Sequence, residues 1–563
     1  AAAAAAAPFF VMQLIPLANP SIAGIAGQQP RLQGVAVSMK SQLPGIIFLL
    51  VAFLMLQPVV GDLPVHCLRH QLVGDWEFFL SSPMSQRSSC GHKSPDNEEL
   101  QPPLSLLNPS DRKQIRLSNP NVAQTATDHS GRWTMIYDEA FEVNVDGFSF
   151  LAFSRFDLDH SGGTRTNVSR CGETQLGWYR NKAGTLWGCY SAKKKTLLRR
   201  YHSSLLAVAP GRATRSPNYD EPLDVGYHSA FADTINAFQS LWTAKAHDRW
   251  VGMSLREMNG LAGIHRPFSM AEKRDADPYF GRSEAVETGP SFLQEASHTS
   301  LGTIVVDNGE AGYLEGGDTD LPSQWNWGNV KGVSYLDPVL DQGECGSCYA
   351  VATMRMLSAR HRIRLGNPMA EAFSINFPLH CSEYNQGCNG GYAFLLSRWA
   401  QDVGLVPEKC GHYNSSGSCQ VQCQVDGLQR RWRADNHHYV GGYYGASTEQ
   451  QMLKELMQGP LVASFEPKPD IMYYNGGIYN SGPNTRTEWE TVDHAVLLVG
   501  FGEDHGRKYW LLQNSWGKDW GEGGFFRMAR GQDESGIESI VVSADVVEDS
   551  RKPQVLLEFV QNL

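Results

Sequence analysis

Eleven cysteines are spread unevenly along the 563 residues: four between 62 and 192, none between 193 and 320, seven between 321 and 545. In an oxidising compartment cysteines pair, and an odd count leaves one thiol over. The spread therefore marks two cross-linked units separated by a stretch without cross-links. The leftover thiol is where a nucleophile should be sought.

The oxidising compartment has its own signals. Residues 46–56 (IIFLLVAFLML) form an apolar run that follows Lys40 and leads to Gly61. A bilayer span needs about 20 apolar residues, so the run reads as a secretory signal, with a membrane anchor as the competing reading. Met39 is the expected start of that signal, and residues 1–38, which begin with seven alanines, an upstream extension. Asn167-Val-Ser169 and Asn414-Ser-Ser416 are glycosylation sequons, and Asn108-Pro-Ser is excluded by its proline. The formal charge of −11 argues against nucleic acid as the main partner. The one basic run, Lys193–Lys195 with Arg199 and Arg200, reads as a solvated face or processing loop.

Patterning separates the units. Residues 62–192 carry alternating apolar runs: Trp76, Phe78 and Leu80; Trp133, Met135 and Tyr137; Val143 and Val145, then Phe148 and Phe150. Turn residues such as Asp146-Gly147 and Lys182-Ala-Gly184 lie between them, predicting an antiparallel β domain. In 193–320, Phe231, Ile235, Phe238 and Trp242 are spaced four, three and four, predicting one helix stripe. Residues 271–320 read as an acidic linker. In 321–545 a helical first half, with Ala350, Met354, Leu357 and Leu365 on one helix face, precedes a strand-rich half at 461–466, 494–502, 508–513 and 524–528. That order predicts two lobes with a cleft between them. Residues 546–563 are a short tail.

The chemistry concentrates in the third unit. Gln342-Gly-Glu-Cys-Gly-Ser-Cys348-Tyr349 sets Cys348 at the start of a helix, whose N-terminal dipole favours a thiolate. A nucleophilic cysteine needs a base, and the base an orienting group. His494 opens an apolar strand and Asn514 follows the next one, 146 and 166 residues downstream of Cys348. Gln342 can donate its amide, with the Cys348 backbone N–H, to an oxyanion. Trp516 can shield the His494–Asn514 contact from water.

These motifs, with Leu321-Pro322, Trp325-Asn-Trp327, Gly387-Cys-Asn-Gly390-Gly391 and Asp493-His494-Ala495, resemble the papain superfamily across 321–545. Tyr349 after the nucleophile, Tyr439–Gly445, His494–Gly500 and Ile235-Asn236 with Gln239 and Trp242 are similar to its cathepsin C branch, across residues 62–545. The resemblance implies an α+β fold: a two-lobed papain-like catalytic domain (helical lobe plus β-barrel lobe) at 321–545, behind an N-terminal antiparallel β-barrel exclusion domain at 62–192 and an excised propeptide at 193–320. It implies Cys348 as nucleophile, His494 as acid/base, Asn514 as orienter, Gln342 as oxyanion donor, and Gly390 and Gly391 as a substrate-binding edge. Asp62, freed by cleavage after Gly61, is implied to bind the substrate's ammonium, so that dipeptides leave free N termini of peptides and proteins. The implied disulfides are Cys67–Cys171, Cys90–Cys189, Cys345–Cys388, Cys381–Cys419 and Cys410–Cys423, which leave Cys348 unpaired. A homotetramer in a lysosome-like, secretory or extracellular location is implied as well. No metal or organic cofactor is expected. The branch binds chloride through two tyrosine hydroxyls; Tyr439 supplies one, but Phe394 stands at the other position and has none. The competing readings are a papain-like endopeptidase with 62–320 as a removable pro-region, and a catalytically silent binding protein on the same scaffold.

Overall fold

The structure, a computed structural model, describes residues 63, 65–95, 111–159, 166–195, 222–254, 257, 258, 261, 321–419, 431–481 and 494–550. The signal run, Asp62, Arg199 and Arg200, the acidic stretch 271–320, Cys423, Asp493 and most of the C-terminal tail lie outside the described residues.

Nine strands form the N-terminal domain among the described residues: β1 (Gly74–Leu80), β2 (Asp111–Ser118), β3 (Val122–Thr125), β4 (Ser130–Ile136), β5 (Ala140–Val145), β6 (Phe148–Asp159), β7 (Thr166–Thr174), β8 (Gly177–Asn181) and β9 (Trp187–Lys194). All pairings are antiparallel, and β1 bonds both β2 and β9, so the sheet closes into a barrel. Closure removes the edges that would otherwise template aggregation. Period two places Trp76, Phe78 and Leu80 of β1 inside. The β5–β6 hairpin turns on Asp146 (φ +54°) and Gly147 (φ +72°), the two positive φ values that a type I′ turn requires. Tyr137, expected in the β4 alternation, sits instead in the β4–β5 turn at φ +50°. Disulfides Cys67–Cys171 and Cys90–Cys189 pin the N-terminal segment and the first loop to the barrel.

Helix α1 (Val225–Phe238) follows, capped by Asp224, whose side chain accepts from Tyr227 N. The expected stripe fails at its C-terminal end. Gln239 Oε1 accepts from the amides of Leu241 and Trp242, and its Nε2 donates to Trp242 O. The chain turns there, Phe238 is 86% exposed, and Trp242 lies in strand β10 (Trp242–Ala244). Side-chain capping by one glutamine thus overrides the helical period.

The C-terminal unit begins at β11 (Trp325–Asn326). Its helical lobe holds α2 (Cys348–Leu365), α3 (Asn376–Cys381) and α4 (Ala393–Asp402). Every residue of α2 from Cys348 to Arg362 is buried, because the helix runs between the lobes and touches α4, β13, β15 and β18. Leu365 was expected on the buried face but is 41% exposed, at the last turn before Gly366 ends the helix in the left-handed conformation. The β lobe comprises β12 (Trp432–Tyr439), α5 (Glu449–Leu456), β13 (Leu461–Phe465), β14 (Tyr474–Tyr479), β15 (His494–Asp504), β16 (Arg507–Gln513), β17 (Phe525–Ala529) and β18 (Ile540–Glu548). The sheet order is β10-β14-β17-β16-β15-β13-β18-β12, so β10 extends the lobe's own sheet. No helix of the described residues is long and apolar enough to cross a membrane.

The barrel docks on the helical lobe through buried charge. Arg398 of α4 donates to Glu142 and Ser149 of the barrel, and its Nε donates to Asp402 at 2.9 Å. Arg180 pairs with Asp402 at 2.9 Å, His437 Nε2 meets Glu142 at 3.1 Å, and Arg87 pairs with Glu383. Burial would raise the Glu142 carboxyl, but the charges of His437, Arg398 and Arg180 outweigh it and hold Glu142 well below the usual carboxylate range. Burial, with Arg398 adjacent, pulls Arg180 down to about 10. Tyr137 stacks on Tyr392 with ring centroids 3.8 Å apart, immediately beyond Gly390-Gly391.

Candidate active site

Cys348 is the first residue of α2, so its backbone N–H lies in the turn that lacks intrahelical acceptors. It is the one cysteine among the described residues that forms no disulfide, and it is buried. Three elements hold its loop. The Cys345–Cys388 disulfide joins it to the turn at 387–389, and Gly346 N donates to Cys388 O at 2.9 Å. Tyr413 OH bridges Ser347 Oγ and Gln342 O, each at 2.7 Å.

His494 opens β15 opposite Phe465 of β13, and both it and Asn514 are buried. Its Nε2 donates to Asn514 Oδ1 at 2.8 Å, and the same oxygen accepts from Ser515 N at 2.8 Å. The second donor fixes which amide atom is oxygen, and so fixes the tautomer: the proton sits on Nε2. Nδ1 makes no hydrogen bond and is the nitrogen left for proton transfer. The Trp516 ring stacks on the imidazole at 4.7 Å. Burial lowers the His494 pKa from 6.5 to about 4, with the Asn514 contact opposing the shift.

Gln342 is fully buried and is aligned with the His–Asn loop by a backbone bond to Ser515 O at 2.8 Å. Its Oε1 accepts from Ser515 Oγ, which turns Nε2 toward Cys345 O at 2.9 Å and Leu261 O at 3.1 Å. Leu261 belongs to the segment before the catalytic unit, and its carbonyl also accepts from Trp516 Nε1 at 3.4 Å. The Gln342 amide nitrogen is therefore bonded to the chain's own backbone. The segment is held nearby by Trp250, whose Nε1 donates to Met472 O at 2.8 Å and whose ring meets Trp516 edge-on. Replacing Gln342 with alanine should lower kcat of the processed enzyme by about 10²–10³-fold with little change in KM, which steady-state kinetics would check.

Gly390 and Gly391 follow the turn at 387–389. A Cβ on Gly391 would lie 2.4 Å from Asn385 Oδ1 and 2.7 Å from the Tyr349 ring, so only glycine fits there. Tyr349 itself donates to Gly387 O at 3.1 Å.

The other predicted residues divide. Cys381–Cys419 joins α3 to the loop beyond Asn414, and Cys410 is disulfide-bonded, although Cys423 is outside the described residues. Asn414 is exposed, its Oδ1 accepting from Ser416 N, and Asn167 lies on β7. Tyr439 Oη is buried without a hydrogen-bond partner, while Phe394 stacks on its ring at 4.5 Å. Phe394 brings no hydroxyl to stand beside Tyr439 Oη. Three contributors escaped the sequence reading. Ser515 was visible inside Asn514-Ser-Trp516; Tyr413 and Leu261 carry no local signal.

Acid should loosen the covering segment. His228 contacts Tyr473 OH at 2.8 Å and Trp250 O at 3.0 Å, and His247 contacts Tyr474 O at 3.0 Å. Burial lowers the pKa of both, as it does for His494. A histidine that the covered state keeps neutral costs nothing above 6.5. Below that value the opened state binds protons that the covered state refuses, so stability falls with pH until the folded pKa is passed. For His494 the same linkage acts between the unfolded and folded chain, over a window from 6.5 to about 4. Proteolysis of 222–261 in the unprocessed chain should accelerate as pH falls below about 6.5, the ordinary histidine value; a flat profile would contradict the coupling.

Comparison with known proteins follows these features. A family model described as "Papain family cysteine protease" matches residues 321–544, and one described as "Cathepsin C exclusion domain" matches residues 62–194. "Cathepsin C" of Schistosoma mansoni is 28% identical over 89% of this chain and 98% of its own length. "Dipeptidyl aminopeptidase 1" of Plasmodium falciparum (isolate 3D7) is 29% identical over 39% of this chain and 44% of its own length. "Cathepsin B-like CP3" of Giardia intestinalis is 33% identical over 37% of this chain and 69% of its own length.

Proposed function

The chain belongs to the papain family of cysteine proteases, with a cathepsin C exclusion domain in front, and on that premise we propose that it removes dipeptides from free N termini of peptides and proteins. The single observation that carries the reading is the barrel seated beside the Gly390–Gly391 edge, with Tyr137 stacked on Tyr392. A barrel packed there would close the substrate path on that side, so that an extended chain could not continue through it.

The steps follow from the side chains. Once Leu261 leaves Gln342, a substrate carbonyl can take its place. His494 Nδ1 accepts the Cys348 proton, and the thiolate attacks the carbonyl carbon. The tetrahedral oxyanion is held by Gln342 Nε2 and the Cys348 N–H. The imidazolium, kept in plane by Asn514, then donates its proton to the leaving amine, giving an acyl-enzyme. Water, deprotonated by the same nitrogen, releases the dipeptide. Asp62 supplies a carboxylate for the substrate ammonium, a charge-assisted contact that an acylated amine cannot make.

The test compares a dipeptide-amide reporter bearing a free amine with its N-acylated counterpart. The free amine should be preferred by about 100-fold in kcat/KM, and Asp62→Asn should erase most of that preference. Equal hydrolysis of both reporters by the processed enzyme would remove the exopeptidase reading. We assign the protein to the secretory route, in a lysosome-like, secretory or extracellular location, a reading supported by its disulfides. A homotetramer is proposed from family resemblance, and light scattering of the processed enzyme would decide it.

A further inference from the structure

The β4–β5 turn joins two parts of the molecule that the function needs to keep in register. On one side it holds the start of the barrel chain at three points. Glu139 Oε1 accepts from Leu63 N at 3.2 Å, Asp138 O accepts from Cys67 N at 2.7 Å, and Asp138 Oδ2 meets His66 Nδ1 at 2.8 Å. On the other side it grips the helical lobe. Tyr392 OH donates to the same Glu139 Oε1 at 2.8 Å, and the Tyr137 and Tyr392 rings stack. Glu139 is 3% exposed, and its backbone oxygen is bonded to Ser154 N at 2.7 Å. One carboxylate oxygen therefore takes a hydrogen bond from each side.

Leu63 N is the nitrogen of the peptide that follows Asp62. Fixing that N–H anchors the chain at Leu63, one residue after Asp62. Tyr392 directly follows Gly390-Gly391, against which substrate backbone is proposed to lie. We infer that Glu139 is a positioning residue for N-terminal recognition: its carboxylate ties Leu63 N–H, one residue after Asp62, to Tyr392 beside Gly390-Gly391. The inference rests on the exopeptidase reading above. Glu139 touches neither substrate nor reacting atoms, so its loss acts on how well the substrate amine is held and leaves the acyl-transfer chemistry in place.

The experiment uses full-length, processed enzyme and both reporters, measuring kcat and KM separately. Glu139→Ala should raise KM for the free-amine reporter about tenfold while kcat stays within about twofold, because two donors lose a charged acceptor. Hydrolysis of the N-acylated reporter should be unchanged, so the selectivity ratio falls by the same factor. Glu139→Gln keeps an acceptor oxygen at the same reach and should restore KM to within about threefold of wild type. Tyr392→Phe removes one donor and leaves the fold intact, and should raise KM by an intermediate amount. An unchanged KM in Glu139→Ala overturns the inference, as does an equal fall for both reporters, which would mark a purely structural role. Should Glu139→Ala fail to fold, Tyr392→Phe decides: a KM rise supports the inference and an unchanged KM overturns it. A failure of the exopeptidase reading itself would show separately, in a wild-type enzyme that does not distinguish the two reporters.

Discussion

Replacing Cys348 with alanine should lower hydrolysis of a free-amine dipeptide reporter by at least about 10⁴-fold, while the protein remains folded. The size of the loss follows from how the site is built. Eight of the other cysteines are paired with one another in disulfides, and Cys410 is disulfide-bonded too, so none of these nine can substitute. His494 has its Nε2 committed to Asn514, leaving Nδ1 with no function except proton transfer. Gln342 would still polarise a bound carbonyl, and that residual electrostatic help sets the floor beneath which activity should not fall. Steady-state rates and labelling by a thiol-directed alkylating reporter should vanish together. Labelling that survives at another position, with activity, would move the nucleophile elsewhere.

Replacing Glu142 with leucine should cost about 3–5 kcal/mol, the range for breaking a buried ion pair from one side. Arg398 is 0% exposed and cannot reach water, and burial together with the adjacent Arg398 charge lowers the pKa of Arg180. Without Glu142 the cluster keeps Asp402 as the carboxylate facing both guanidiniums. Strain of that size falls on the seam between the barrel and α4. The expected result is a lower denaturant midpoint, together with a rise in cleavage of N-acylated or longer substrates as the barrel loosens from the cleft. Pairing the change with Arg398→Met should recover much of the stability, since the guanidinium no longer needs a partner. A double variant as unstable as the sum of the singles would show that the two residues are not coupled.

Much of the catalytic unit was legible because its signals are local. Cys348 at a helix start, glycines at 390 and 391, and a histidine opening an apolar strand each reflect a constraint written within a few residues. The barrel strand β1 was legible for the same reason, since its inward face follows strict alternation. Reading failed where a side chain far along the chain, or one glutamine close by, changed the outcome. Trp242 fits a helical period but is drawn into β10 by Gln239. Tyr137 fits a strand period but turns out of β4 to stack on a residue 255 positions away in the chain. Leu365 fits a helix face that ends, at Gly366, before its side chain reaches the interior.

By itself the sequence determined which atoms can react and which disulfide-forming residues surround them: a thiol, an imidazole, an amide to orient it and an amide to hold an oxyanion. Those properties belong to residue types and to short motifs. Only the tertiary structure decided who the partners are. It turned Nδ1 of His494 free, bonded Gln342 to Leu261 O, buried Glu142 against Arg398 across 256 residues, and set Glu139 between Leu63 and Tyr392. The physical reason is that burial and hydrogen-bond partnership come from contacts between segments remote in the chain. No local pattern of hydrophobicity encodes which buried charge will meet which.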